Sequence, residues 1–448
     1  MGGGFSSGHR WGILGGHRGY NIIVVGGGPA GLTAAMMAAK EGFSVLLVDT
    51  KKNISRQTRP CCSMWLLEPG FHNEGWTFDE EKIYFHRNDF CIPYTGEVID
   101  LYRSVRITAE GHSMVMGKRL TPLGKVINKQ QLLQDLLGVV EKVGVEVRPE
   151  TTCLGIEESE DGVKALLRHR ESQEWVTADY LFAADGVDSR VAASLGLNDS
   201  RKLIMRTPLL EHYYADVKTP YPDAWVQFVG DGFNGVSGYM LHKPDFGGYH
   251  NVYEICALIP KGSNLSCHGA MQCLLEHPTV KELLSGARLI KKMGCKWSIW
   301  SPIKSPARNR VILLGDAASF QEAENQGAIM CGYRAAKAVA AAESGDDGFA
   351  HYNRFWKESF EFNDPQILQD TWKGFIFGYL GQENLNYVIS LADGLFLDGY
   401  INHFKFGNTI LEFIHSQMPR IRKERPDLAE KIIDFEKFKV EENIIGEV

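Results

Sequence analysis

Several groups of residues in this 448-residue chain have the types and spacing to do chemistry. Gly26, Gly28 and Gly31, with Pro29 and Ala30 between them, form a Gly-x-Gly-x-x-Gly turn, and Asp49 closes the next apolar run. Gly26 permits a tight turn, Gly28 lets backbone approach a pyrophosphate, and Gly31 allows a helix to pack closely on a strand. The helix N-terminus can then face phosphate. A carboxylate about 20 residues on is placed to accept hydrogen bonds from a ribose, so the set predicts an ADP-containing cofactor. Cys61 and Cys62 form an adjacent thiol pair that could protonate carbon if pKa and position suit. Tyr239 and His242 are further candidate proton donors. Against these stand plainer readings: an inert buried thiol pair, and a sheet strand with one exposed tyrosine.

Strands and helices must hold these groups. Asn21 to Val25 reads as a buried strand and Ser44 to Val48 as a second, a βαβ pattern around the glycine turn. Tyr180 to Ala184 is an apolar run ending in Asp185-Gly186, and Arg310 to Leu314 another ending in Gly315-Asp316. Both place an acid and a glycine at a strand's C-terminal end, where doubly wound sheets bind ligands. Gln326-Gly327-Ala328 then leads into an alanine-rich helix over Ala335 to Ala342, whose N-terminus could face an electron-rich ring edge.

With its motifs in this order, the chain resembles the flavoprotein superfamily that includes the aromatic hydroxylases and the geranylgeranyl reductases. The resemblance covers residues 20 to 345. It implies an α/β fold: a Rossmann-like, glutathione-reductase-like FAD-binding domain, an inserted antiparallel β-sheet substrate domain and a C-terminal helical lobe. By the same resemblance Gly26, Gly28, Pro29, Ala30, Gly31 and Asp49 hold the ADP half of FAD. Asp185 and Gly186 lie near the pyrophosphate and any nicotinamide donor, Asp316 binds the ribityl chain, and Gly315, Gly327 and Ala328 complete the cofactor set.

Within the superfamily the chain leans toward the reductases. Asp185-Gly186-x-x-Ser189-x-Val191-Ala192, followed by Leu195-Gly196, is similar to their pattern, whereas hydroxylases tend to carry an arginine at the place of Ala192. Tyr239 and Pro244 keep the spacing of a reductase Gly-Tyr strand, although Leu241, Lys243 and Asp245 replace its tryptophan, phenylalanine and lysine. Cys61 falls where the reductases carry a Cys-Gly segment beside the flavin, with Cys62 in the glycine's place. Trp297 and Trp300 are three apart and lack the Ile-Pro of the halogenase signature, so they read as packing or pocket walls.

The resemblance implies an FAD-dependent oxidoreductase that reduces carbon-carbon double bonds of an apolar, polyprenyl-like substrate by hydride transfer, with Cys61, Cys62 and Tyr239 as catalytic candidates. No second glycine fingerprint is present, so the electron donor is NAD(P)H docking transiently, or a reduced ferredoxin or flavoprotein. Three alternatives stay open: a monooxygenase of the same fold, an electron-transfer flavoprotein or quinone-type dehydrogenase, and a non-catalytic flavin-binding protein.

Bulk properties narrow the partners. A hydrophobic fraction of 44% and a net charge of -7 describe a globular protein with no global attraction to nucleic acid. The nine cysteines show no metal-ligand spacing, so no metal is expected, and their use fits a reducing, cytoplasmic compartment. No apolar run approaches the ~18 residues of a spanning helix, which leaves peripheral membrane contact open. The first twenty residues hold eight glycines, and residues 1–19 are expected to be a flexible extension in which His9 and His17 are solvated. The FAD-binding domain is expected from 20–85, 125–199 and 305–345, the β domain from 86–124 and 200–304, and the helical lobe from 346–448. The lobe's dense aromatics could line a tunnel, face a membrane, fill their own core or form a dimer interface, and oligomeric state is not set by these residues.

Overall fold

The computed structural model describes residues 19–259, 263–321 and 323–440; residues 1–18, with His9 and His17, lie outside the described residues. A parallel sheet carries the first domain. Its order is Glu146–Arg148, β2 (Val45–Val48), β1 (Tyr20–Val25), the second half of Ser172–Ala183, and Val311–Leu313. Helices cover the sheet, so its strands read as continuous apolar runs rather than alternating ones. The strands Thr151–Glu158 and Val163–His169 and the first half of Ser172–Ala183 form the attached antiparallel meander.

The helix α1 (Pro29–Lys40) packs against the helix Glu324–Glu343 through small residues. A Cβ on Gly332 would stand 2.4 Å from the Ala30 carbonyl oxygen, so only glycine permits the approach. The second helix starts eleven residues before the Ala335 expected from sequence. Gly327 and Gly332 look like helix breakers in the sequence, but each is where another element presses in, and packing overrides propensity.

A second, eight-stranded sheet has the order Arg288–Trp300, Leu203–Ala215, Val252–Leu258, Ser237–Lys243, Ala224–Phe228, Arg103–Ile107, Ser113–Gly117 and Phe396–Asp398. Its pairs are antiparallel except Ala224–Phe228 with Arg103–Ile107 and Ser113–Gly117 with Phe396–Asp398. One face buries Val105, Val226, Met240 and Ile255 with residues of the helices Cys267–Glu276 and Pro278–Leu283. The opposite face carries Glu211, Tyr239, Lys243 and Glu254, because side chains alternate along each strand. Elsewhere in 86–124, Phe90–Pro93 pairs with Lys82–Phe85, and Val98–Leu101 pairs with Gly124–Ile127.

Helices from Pro365 onward build a separate core that includes Met114 and Met116 of the sheet. Trp372 stacks on Phe435 and Phe438, and Phe377 and Phe413 are buried in this core, so part of the aromatic run fills the lobe from within.

Candidate functional site

The loops at the carboxyl ends of the parallel strands come together. Gly26 ends β1 with φ 106°, and a Cβ there would lie 2.2 Å from the Ala184 carbonyl oxygen. The glycine turn and the Asp185-Gly186 turn therefore touch. A Cβ on Gly31 would lie 1.8 Å from the Gly26 oxygen, whereas one on Gly28 would meet nothing within 4 Å. Gly28 is also the N-cap of α1 and gives it no side-chain cap. Space beside uncapped helical N–H groups is what a pyrophosphate needs. Asp49 is fixed next to this cradle, its carboxylate accepting the N–H of Gly27 at 2.6 Å and of Lys51 at 2.7 Å.

Asp185 accepts the N–H groups of Arg190 at 2.8 Å and Val191 at 3.3 Å through Oδ2. Its Oδ1 is buried and meets no donor among the described residues, and burial pushes the carboxyl up from its ordinary value. Gly186, at φ 83°, faces open space. At the other turn, a Cβ on Gly315 would lie 3.3 Å from that of Ala328 and 3.7 Å from that of Ala30, which brings both helix N-termini to one place. Asp316 accepts the Ala323 N–H at 2.9 Å, and burial raises its carboxyl too. Gly327 is different: its missing side chain admits Phe360 at 2.6 Å and His72 at 3.0 Å rather than opening toward a ligand. His72 is itself clamped, with Nδ1 2.8 Å from Glu361 Oε2 and Nε2 3.1 Å from the Ala323 oxygen. The cradle, the fixed Asp49 carboxylate and the buried unsatisfied Asp185 oxygen fit FAD.

Cys61 and Cys62 lie between this cradle and the large sheet, in the loop before β3 (Met64–Leu66). Lys129, the first residue of the helix Lys129–Lys142, donates to Cys61 Sγ at 3.3 Å, and Asn325 Nδ2 lies at 3.8 Å. The Cys61 thiol is held well below the usual thiol range, first by a hydrogen bond with Cys62 and then by the charges of Lys129 and Lys243, against the opposing effect of burial. The thiolate form of Cys61 is thereby favoured, with Cys62 as its hydrogen-bonded neighbour.

A buried polar cluster lies behind the thiols. Lys243 donates to the Cys62 carbonyl oxygen at 2.6 Å and the Cys61 oxygen at 3.3 Å, and stands 3.1 Å from Glu254 Oε2. Burial and the neighbouring Glu254 push Glu211 well above the usual carboxylate range, which favours its protonated form. Burial likewise raises Tyr239 and Tyr213, which keep their protons, and lowers Lys291 to about 8. Sequence reasoning missed Glu211, Lys243, Glu254 and Lys129. One signal was available: a lone acid in the apolar run Val252–Leu258.

Tyr239 faces the thiols' side of the sheet, but His242 does not. Strand alternation turns His242 to the far face, where it stacks on Tyr253 at 4.4 Å and its Nδ1 lies 3.1 Å from the Pro222 oxygen. It is therefore removed from the candidate proton donors. Trp300 is a pocket wall: with Asp188, Arg190, Arg206 and Lys296 it lines an open cavity of about 360 Å³ beside the Asp185-Gly186 turn.

Comparison with known proteins agrees with this geometry. Residues 107–242 match an FAD binding domain family, and residues 21–54 an FAD dependent oxidoreductase family. The digeranylgeranylglycerophospholipid reductase of Methanosarcina mazei is 23% identical over 76% of this chain and 81% of its own length. A second such reductase, from Methanopyrus kandleri, is 25% identical over 84% and 90%. The chain is a geranylgeranyl reductase-like flavoprotein. The solved structure of a geranylgeranyl bacteriochlorophyll reductase-like protein from Thermoplasma acidophilum shares this flavoprotein's fold, with a TM-score of 0.65 at 19% identity over 94% of this chain and 100% of the other. A flavin-dependent halogenase superposes on the geranylgeranyl reductase-like chain less well, at 0.58 and 16% identity over 94% of this chain and 71% of its own. The expected α/β architecture of FAD domain, inserted sheet and helical lobe is present, and the protein is an FAD-dependent oxidoreductase.

Proposed function

We propose that this flavoprotein reduces carbon-carbon double bonds of a polyprenyl lipid held between the large sheet and the flavin cradle. One observation carries the reading: the adjacent Cys61 and Cys62, with Lys129 on Cys61 Sγ, Lys243 on both cysteine carbonyl oxygens and the buried acids Glu211 and Glu254 behind them, sit between the FAD cradle and the substrate-facing side of the sheet. Bound FAD supplies hydride chemistry. The chain's residues do the rest. Gly26, Gly28, Gly31 and Asp49 orient the cofactor, and Asp185 and Asp316 fix the two loops that meet it. Cys62 holds the transferable proton, Lys129 and Lys243 set the charge of Cys61, and Glu211 is the buried acid nearest in chemistry to a proton reserve. Tyr239 orients substrate as a donor that does not ionise.

The cavity at Asp188, Arg190, Arg206, Lys296 and Trp300 supports docking of an anionic electron donor beside the Asp185-Gly186 turn. Exposed Phe375 and Tyr379, with Lys431 over the Tyr379 ring, support peripheral membrane contact. Flotation with anionic vesicles tests this; a chain that stays unbound removes it. Among the described residues no helix is long and apolar enough to cross a membrane.

The function is tested by reducing the FAD-loaded protein without oxygen and following reoxidation by stopped flow. Fast reoxidation by a geranylgeranyl lipid with slow reaction toward oxygen is expected. Fast oxidation by oxygen that leaves the lipid unreduced would move the assignment to a monooxygenase.

A further inference from the structure

Arg106 lies in the strand Arg103–Ile107 and is only 1% exposed, yet no carboxylate approaches it among the described residues. Its Nη1 donates to Ser104 Oγ at 3.0 Å and lies 2.7 Å from Met116 Sδ, while Nη2 is buried without an acceptor. The guanidinium packs over the Phe406 ring of the helical lobe at 4.7 Å. Burial lowers it to about 9, so it remains charged at neutral pH. A fully buried cation with no acid partner is costly, and packing alone would be better served by methionine or leucine.

Its neighbours have the same deficit. The register of the parallel pair sets Gln227 beside Arg106 and Trp225 beside Ser104 on one face. Gln227 Nε2 and Trp225 Nε1 are also buried donors without an acceptor. Adjacent strands thus present the guanidinium Nη2, an amide and an indole N–H on one face of the sheet, and none of the three has an acceptor among the described residues. Gln227 pairs in turn with Tyr239, and Trp225 meets the Tyr239 ring edge-on at 6.0 Å. Two strand spacings separate Arg106 from Tyr239, about 10 Å. The row therefore runs from the helical lobe to the thiol pair.

We propose that Arg106, Gln227 and Trp225 bind the phosphate-bearing head of the lipid substrate at the junction of sheet and helical lobe, with the chain running past Tyr239 toward Cys61 and Cys62. The inference rests on the polyprenyl reading above for the chain, while the head site follows from the unpaired donors. A guanidinium fork matches phosphate geometry, and the indole and amide complete a donor set that a hydrocarbon or an ammonium group could not use.

The test uses the FAD-loaded full chain with geranylgeranyl diphosphate and geranylgeraniol as probes. Binding is read by quenching of tryptophan fluorescence, which needs no turnover. The diphosphate is expected to bind at least tenfold more tightly than the alcohol, Arg106→Met to erase that preference, and the ligand-free variant to melt no lower than the parent. Equal binding of both probes by the parent, or an undiminished preference in Arg106→Met, overturns the proposal. If Arg106→Met does not fold, Gln227→Met and Trp225→Phe decide, since full preference in both overturns it as well. Selective diphosphate binding without reoxidation of reduced flavin would reject the reductase reading and leave the head site standing. Reoxidation by both probes at equal affinity would do the reverse.

Discussion

Replacing Lys129 with methionine should move the Cys61 thiol back up toward its ordinary value, with a loss of ~1.5–3 kcal/mol of thiolate stabilisation. The lysine ammonium is 3.3 Å from Sγ, a charge-assisted hydrogen bond. Such bonds contribute ~1.5–3 kcal/mol, which sets the predicted loss. Coulomb's law at this distance with an effective dielectric near 20 gives ~5 kcal/mol, an upper bound because Lys129 and Cys61 are only partly buried and water screens them. Lys243 and the Cys62 hydrogen bond remain, so the thiol should not return to its ordinary value. The assay is the pH dependence of Cys61 alkylation by iodoacetamide in the FAD-loaded protein, read by mass spectrometry at that cysteine. A midpoint unmoved in Lys129→Met would refute the account of how the thiolate is held. The stability consequence has a definite sign. Cys61 titrates lower in the folded chain than in the unfolded one, so its contribution is complete above the unfolded thiol pKa and is lost as pH falls through the folded value. Lys129→Met should narrow that window.

Three further outcomes are expected. Gly28→Ala should fold with an unchanged melting temperature but bind FAD at least tenfold more weakly, because its Cβ meets no atom of the described residues within 4 Å and takes up space beside the uncapped helix N-terminus; Gly26→Ala, at 2.2 Å from the Ala184 oxygen, should lose several kcal/mol of stability. Lys243→Met leaves Glu254 buried without its cation and should cost ~3–5 kcal/mol in denaturant unfolding, with Glu254→Gln in the same chain recovering a large part. Burial holds His403 near pKa 4, below its unfolded value, so stability should drop as pH falls from ~6.5 toward 4, by an amount of order 3 kcal/mol, and His403→Gln should flatten that slope in pH-dependent thermal melts.

The cofactor cradle could be read from sequence because its determinants are local. Gly26, Gly28 and Gly31 lie within six residues, and Asp49 follows on the next strand, so one βαβ unit fixes their geometry. Cys61 was singled out for a different reason, as part of a thiol pair at a position the reductase pattern marks. The polar cluster was not legible. Glu211, Lys243 and Glu254 come from three strands brought together by register, and Lys129 comes from a helix in the other domain. Lys243 was visible only as a departure from a phenylalanine, and nothing local said that it would reach the carbonyls of Cys61 and Cys62. His242 failed for the converse reason: its proximity to Tyr239 in sequence ignored the alternation that sends it to the other face.

The last strand of the large sheet, Phe396–Asp398, joins Ser113–Gly117 in parallel, with Lys118 paired to Asp398 and Arg119 over Phe396. On the ribosome, Ser113–Gly117 emerges some 280 residues before its partner. Until then it is an open edge bearing Met114 and Met116, both fully buried in the finished chain. Unpaired edges with apolar side chains recruit other chains. The nascent protein therefore has a long interval of aggregation risk that ends only when the C-terminal lobe docks, and a chain truncated before Phe396 would keep that risk permanently.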